Sequence, residues 1–394
     1  MSAAGGEQVG TTDLLRQAAV EELVAAGQAD FAMESVARRA FFSIGTVYNR
    51  WLDRDALLTD IARTRIMAGI SDGLGSAESA SDAIAWVLDA GQRPVLAAGE
   101  IMLAGHTAPA LAPVAVDLWQ CVRGSLEQRL PSSMAWYVAT YALGSALLGA
   151  IGVDGPSPAT GRVQWFVDAC DSTAPMPSVP RETATVDALA VPTVPSPHGN
   201  DDVARALVDA AQLLLAERGA AGTSTRDIAA GAGVTTGALY RRYDGKSGLL
   251  ADVLLAQLQP DRYAWTWDLV QALASKDPFA DSARVIGQRM IDAAEDEAAQ
   301  RVLLQVGIAA RNDSALQAQV ADRIRVAHEA RVEMARGFAA TGLLREDVSP
   351  EVLVWGFQTI PVGVRATLPL GVPLDLDDVR ASMGALLRAA ARPG

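Results

Sequence analysis

Residues 223–250 read TSTRDIAAGAGVTTGALYRRYDGKSGLL, and their spacing decides the fold. Thr223, Ser224 and Thr225 supply a helix cap, after which Ile228 and Ala229 form the inward face of a short helix. Gly233 and Val234 make a turn, Thr235 caps a third helix running to Tyr243, and Lys246 opens a fourth with Leu249, Leu250, Val253 and Leu254 apolar. Upstream, Val203, Ala206, Leu207, Ala210 and Leu214 recur at helical spacing until Gly219 stops the run. Two short helices joined by a glycine turn behind a longer one make a unit that lays its second short helix in the major groove of DNA.

The same pattern occurs earlier in the chain. A shift of 192 positions places Gly27 on Gly219, Ala37 on Ala229, Gly45 on Gly237, Tyr48 on Tyr240, Arg50 on Arg242 and Leu57-Leu58 on Leu249-Leu250, without a gap. Conservative pairs fill the frame: Ser43 with Thr235, Trp51 with Tyr243, Arg54 with Lys246. A second, weaker match at a shift of 219 pairs Trp136 with Trp355, Gly144 with Gly363 and Gly152-Val153 with Gly371-Val372. Between the copies, residues 171–200 carry prolines at 175, 177, 180, 192, 195 and 197, a spacing that no packed helix survives. The chain therefore divides into a first helix-turn-helix domain at 1–63, a first helical domain at 64–170, a proline-rich linker at 171–200, a second helix-turn-helix domain at 201–255 and a second helical domain at 256–394.

The string from Thr225 through Ala232-Gly233-Val234-Thr235, Gly237, Leu239-Tyr240, Tyr243 and Lys246 to Leu249-Leu250 resembles the signature of the TetR family of bacterial transcriptional regulators. The first copy fits the same frame but has Phe41-Phe42 where the family has Gly-Val. Glycine at such a turn serves a positive φ, so Phe41 either bends the turn differently or accepts strain of about 1 kcal/mol or more. Phe42 reads as core, matching Val234; Phe41 is either an added packing contact or a degraded DNA-reading surface.

The resemblance implies an all-α fold of two TetR-like units in tandem, each a three-helix DNA-binding head followed by a helical ligand-binding and dimerisation domain, packed as an intramolecular pseudo-dimer. It implies phosphate-positioning roles for Thr225, Tyr240 and Lys246 and for Tyr48 and Arg54, with Met33 standing where a threonine would help. Base reading falls to Thr236, Gly237, Arg241 and Arg242 in one copy and to Ile44, Gly45, Asn49 and Arg50 in the other, behind the caps Thr235 and Ser43. The implied partners are a double-stranded DNA operator, read asymmetrically by two unlike heads, and a hydrophobic small-molecule effector that releases a repressor. Trp265, Trp267, Arg311, His328, Trp355 and Phe357 are the candidate effector-binding residues.

Charge and composition bound this reading. With Lys+Arg 33 against Asp+Glu 46, the net charge of -13 makes the surface as a whole repel nucleic acid, so DNA must be held by a local patch. In the second head Arg226, Arg241, Arg242 and Lys246 face only Asp227 and Asp244, whereas in the first Arg38, Arg39, Arg50 and Arg54 are offset by Asp30, Glu34, Asp53 and Asp55. The second head is thus expected to bind DNA better. Two cysteines, Cys121 and Cys170, lack neighbours for a zinc site or a disulfide framework, and the leading residues lack a secretory pattern, which points to the cytoplasm. Met134 to Val153 carries no charged side chain, but its Gly144, Gly149 and Gly152 suit helix packing, and no membrane span is expected.

Three histidines, no metalloprotease motif, no phosphate-cradling loop and no nucleophile elbow leave no catalytic or metal-binding residue and no cofactor to nominate, so an enzyme is not expected. The alternative to a regulator is a helical interaction or signalling protein whose DNA binding has decayed.

Overall fold

The computed structural model describes residues 10–89, 92–153, 155, 201–258, 268, 271–272, 275, 277–340, 342 and 344–391. The proline-rich linker, Cys170, Trp265 and Trp267 lie outside the described residues. Among the described residues the elements are helices, with one isolated β-bridge between Leu344 and Ala391. The fold is all-α.

In the first half, α1 (Thr11–Asp30), α2 (Met33–Arg39) and α3 (Ile44–Tyr48) form a head, and α4 (Arg54–Ile61) leads through a π-helical turn (Ala62–Ile66) into α5 (Met67–Gly75). The body continues with α6 (Ala80–Leu88), α7 (Arg93–Thr107), α8 (Ala112–Glu127) and α9 (Ser132–Ala150). The second half repeats the head as α10 (Asp202–Arg218), α11 (Thr225–Gly231), α12 (Thr236–Tyr240) and α13 (Gly245–Leu258). Its body comprises α14 (Pro278–Glu295), α15 (Glu297–Asn312), α16 (Ser314–Ala340), α17 (Pro350–Thr367) and α18 (Leu376–Ala390). Local chemistry sets these boundaries. Ser79 and Asp82 form a capping box at α6, Asp201 caps α10 through Val203 and Ala204, and Pro278 and Pro350 open α14 and α17, where a missing N–H does no harm.

The recognition helix is shorter than its periodicity suggests. It stops at Tyr240 instead of Tyr243, because the Arg242 and Tyr243 amides both turn back to the Leu239 carbonyl. Pro361 sits inside α17, which runs on to Thr367, and Pro369 falls in the 3-10 turn that ends it.

The halves meet along α9 and α17. A Cβ on Gly144 would collide with the Thr359 carbonyl, and one on Gly363 with the Thr140 carbonyl. Thr140 and Thr359 are themselves equivalent under the 219-residue shift, and each hydroxyl donates one turn back, to the carbonyls of Trp136 (2.7 Å) and Trp355 (3.0 Å). The weak sequence match thus marks a crossing where each helix offers its glycine to the other's threonine, the self-complementary pattern of a two-fold contact. Burial here accounts for the uncharged run: α9 is covered by α7, α8, α17 and α18. Among the described residues, no helix is long and apolar enough to cross a membrane.

The cores cross the seam as well. Ile360, Val364, Val379 and Met383 of the second half join the first half's core, while Leu148, Ile151 and Val153 of the first join the core around Trp355. Polar links lie alongside: Arg123 pairs with Asp378 at 2.9 Å, and His106 Nε2 donates to the Ala366 carbonyl at 2.8 Å.

Candidate nucleic-acid interface

Each head is built on the same backbone device. Gly27 (φ 76°) and Gly219 (φ 69°) take the left-handed region at the end of the long helix, and the turn between the short helices needs it again at Gly233 (φ 69°). Phe41, the counterpart of Gly233, adopts φ 59° and is 96% exposed. The turn therefore does not bend differently. The Phe42 and Val234 amides bond the Ala37 and Ala229 carbonyls, each at 2.9 Å, and the phenylalanine accepts the strain. Phe42 is partly buried against the core, as Val234 is. Of the two alternatives for Phe41, added packing falls away, because its ring stands in solvent.

The second head carries side-chain contacts that the first lacks. The Ser224 hydroxyl accepts the Asp227 amide while the Asp227 carboxylate accepts the Ser224 N–H and O–H, which holds the Asp227 carboxyl below its ordinary range. Thr235 caps α12 through the Ala238 amide, and Ser43 caps α3 through the Thr46 amide. Tyr240 is 58% exposed with its hydroxyl 3.3 Å from Thr225 Oγ1, so two hydroxyls present one hydrogen-bonding edge. In the first head Met33 is buried at the threonine position, and α2 begins after Ala32 with no side-chain cap. Thr236, Gly237 and Arg241 are exposed on α12, as are Ile44, Gly45, Tyr48 and Asn49 on α3 and its end.

Four expected contact cations point elsewhere. Arg242 pairs with Asp201 at 2.6 Å and donates to the Ala238 carbonyl, and the pairing, led by that side-chain hydrogen bond, pulls the Asp201 carboxyl below its usual range. Arg50 does likewise, donating to Thr12 Oγ1 at 2.9 Å and to the Thr46 carbonyl at 2.8 Å. Lys246 Nζ donates to the Ala220 carbonyl, and burial lowers its pKa; Arg54 donates to the carbonyl of Gln28, the residue equivalent to Ala220. As the chain stands, Arg50 and Arg242 tie each recognition helix to the start of the long helix, and Arg54 and Lys246 pin the turn after it. Arg226 and Arg241 are exposed cations on the second head.

Sequence reasoning missed these pins. Gln28 and Ala220 are ordinary residues whose importance lies in their carbonyls, and the only trace is that each follows a glycine in the repeat. Each amide is also held, Gln28 N donating to Glu100 Oε2 at 2.7 Å and Ala220 N to Gln305 Oε1 at 3.0 Å.

The residues nominated for an effector separate. Arg311 pairs with Glu100 at 3.0 Å across the halves, Phe357 packs against the first core, and His328 stacks edge-on against Trp355 at 5.6 Å while facing Gln358 Oε1 at 3.1 Å. Burial lowers the pKa of His328. None of the four lines the apolar cavity at the seam, where Gln358 is a wall residue.

The model of bacterial regulatory proteins of the tetR family matches residues 207–253. The HTH-type transcriptional repressor Rv3405c of Mycobacterium tuberculosis is 47% identical over 58 residues, covering 15% of this chain and 31% of that protein. The HTH-type transcriptional repressor KstR2 of Rhodococcus jostii is 44% identical over 48 residues, 12% of this chain and 24% of that one. The chain thus spans about a third or less of the curated relatives it matches. Among solved structures, NalD, the secondary repressor of the MexAB-OprM multidrug efflux pump in Pseudomonas aeruginosa, aligns with a TM-score of 0.37 at 22% identity over 49% of this chain and 99% of that one. What the comparisons identify is the head: residues 207–253 match the DNA-binding domain of the tetR family of bacterial regulatory proteins, within an all-helical chain.

Proposed function

We propose that the chain is a sequence-specific DNA-binding transcriptional regulator, a repressor released by a hydrophobic small molecule, in which one polypeptide does the work of a dimer. Its heads at 1–63 and 201–255 sit on bodies at 64–170 and 256–394, joined by the linker at 171–200. The observation that carries this reading is the reciprocal crossing of α9 and α17, Gly144 on Thr359 and Gly363 on Thr140, beneath two heads with matching glycine turns and matching cation pins. A tether of some thirty residues keeps the halves at an effective concentration of roughly millimolar, so no second chain is needed.

The two heads offer different chemistry to DNA. Around α12, the Thr225–Tyr240 hydroxyl pair suits a phosphate and Arg241 suits a guanine edge. Around α3, exposed Ile44 and Phe41 suit thymine methyl groups and Asn49 suits adenine. Selection from random DNA should return two unlike half-sites about one helical turn apart, with light scattering giving the mass of one chain; a palindrome bound by two chains refutes the proposal. The rival reading, a helical interaction protein, draws on the exposed Phe41 and on the cations bonded within their own heads. Absence of a shift with the chain's own upstream DNA would favour it.

A further inference from the structure

Helix α15 touches three separate parts of the molecule. Its Leu303, Leu304 and Gly307 line a cavity of about 100 Å³ at the seam, lined on other sides by Leu103 and Leu147 of the first half and Val362 of the second. Gln305, on the same stretch of helix, holds the amide of Ala220 at the turn that opens the second head. Arg311, in its last turn, holds Glu100, whose other oxygen takes the amide of Gln28 at the matching turn of the first head. The guanidinium of Arg311 also lies directly beneath Gly27.

We infer that this cavity is a binding site for a single uncharged apolar ligand with one hydroxyl or carbonyl end, shared by the two halves, and that α15 transmits its occupancy to both heads at once. The inference deepens the effector part of the regulator reading and rests on that reading only for what the heads do. The wall is hydrocarbon almost throughout; its two polar residues are Arg365, which is already engaged within the protein, and Gln358, whose amide meets one polar end. A dry cavity of roughly 150 Å³ admits benzene, so a chain of eight carbons exceeds this one and must push its walls apart. Close-packed interiors answer such a push by shifting whole elements. A moved α15 pulls on Gln305 and Arg311 together, and hence on both turns. One occupant would serve two unlike heads, an arrangement open to a single chain because its halves need not be identical.

The test uses the full chain with n-octanol and octanoate as probes, titration calorimetry for binding, and hydrogen exchange of the segments 27–33 and 219–225. Octanol is expected to bind once per chain and to speed exchange in both segments by about fivefold. A Cβ at Gly307 meets open space, so Gly307→Leu fills the cavity and should weaken octanol at least about tenfold without lowering Tm. Gln305→Ala should silence the response at 219–225 alone, and the neutral pair Glu100→Gln with Arg311→Gln the response at 27–33 alone. Two sites per chain, tighter binding of octanoate, indifference to Gly307→Leu, or a wild-type response in fewer than both segments would overturn the inference. No DNA enters this experiment, so its failure leaves the DNA-binding proposal standing, and failure of that proposal leaves the cavity standing.

Discussion

The first and second heads share a backbone and differ in what is attached to it. Both use a positive-φ residue at two matched turns, both cap the recognition helix with a hydroxyl, and both pin the same carbonyl with a cation. The second adds a capping box, a glycine where φ demands it, and a Thr225–Tyr240 hydroxyl pair. The first has Ala32, Phe41 and Met33 in those places, and anchors its turn through a buried carboxylate, Glu100, instead of the neutral Gln305. The difference teaches that a duplicated unit keeps the contacts that define its shape while the groups facing solvent or a neighbour diverge.

The largest expected effect breaks the comparison at the anchors. Glu100→Ala leaves Arg311 facing a space without its anion and frees the Gln28 amide, and should destabilise the chain by about 3–5 kcal/mol. Gln305→Ala removes one neutral acceptor and should cost about 1 kcal/mol. Denaturant unfolding of both variants checks this, and equal losses would mean that the anchors are equivalent after all.

Next come the seam glycines. Valine at Gly144 or at Gly363 drives a side chain into the opposing backbone and should cost about 3 kcal/mol at either site. Similar drops in Tm would support a two-fold seam, and a large inequality would argue against it.

Binding to DNA ranks the readers. Tyr240→Phe should weaken binding by about 1 kcal/mol or more, because it removes half of the hydroxyl pair, whereas Tyr48→Phe, with no threonine beside it, should change affinity less. A titration by fluorescence anisotropy at fixed salt decides between them.

Strain at the turn allows a direct exchange. Phe41→Gly should stabilise the chain by about 1 kcal/mol, and Gly233→Phe should destabilise it by a similar amount. Thermal unfolding in which Phe41→Gly is neutral would show that the first turn has relaxed around its aromatic side chain.

The smallest effect concerns acid. The Asp201 and Asp227 carboxyls sit below their ordinary values in the folded second head, Asp201 through Arg242 and Asp227 through Ser224. Their contribution is present above the unfolded carboxylate pKa near 4 and is lost as pH falls through the lower folded values. Hydrogen exchange of residues 201–258 should therefore rise as pH drops below about 4 after correction for intrinsic rates, and Asp201→Asn should flatten that dependence.

Much of this molecule is written in short-range pattern. Helical spacing from Val203 to Leu214, the caps Ser224 and Thr235, and the glycines at 27, 219 and 233 were all legible, because each is a rule about φ or about a neighbour within four residues. The 192-residue repeat was legible for the same reason, since a turn that needs glycine keeps it in register. The site was legible only as far as its backbone. Thr236, Gly237, Arg241, Ile44 and Asn49 stand exposed where the recognition helices put them, but Arg50, Arg54, Arg242 and Lys246 are bonded to groups of their own heads. A long cationic side chain goes to the nearest satisfying acceptor, and carbonyls of Gln28 and Ala220 carry no sign of that in their letters.

The sequence by itself determined the helical class, the two head motifs, the turn where Phe41 stands in place of a glycine, and the uncharged helix that has to be buried. The tertiary structure alone decided that Gly144 meets Thr359 and Gly363 meets Thr140, that Glu100 finds Arg311 from 211 positions away, and that α15 lies between a cavity and both heads. The division has one physical cause. Backbone preference and periodicity act over a few residues and are read along the chain, whereas close packing and buried charge are settled by whichever groups arrive at the same place once the halves have closed.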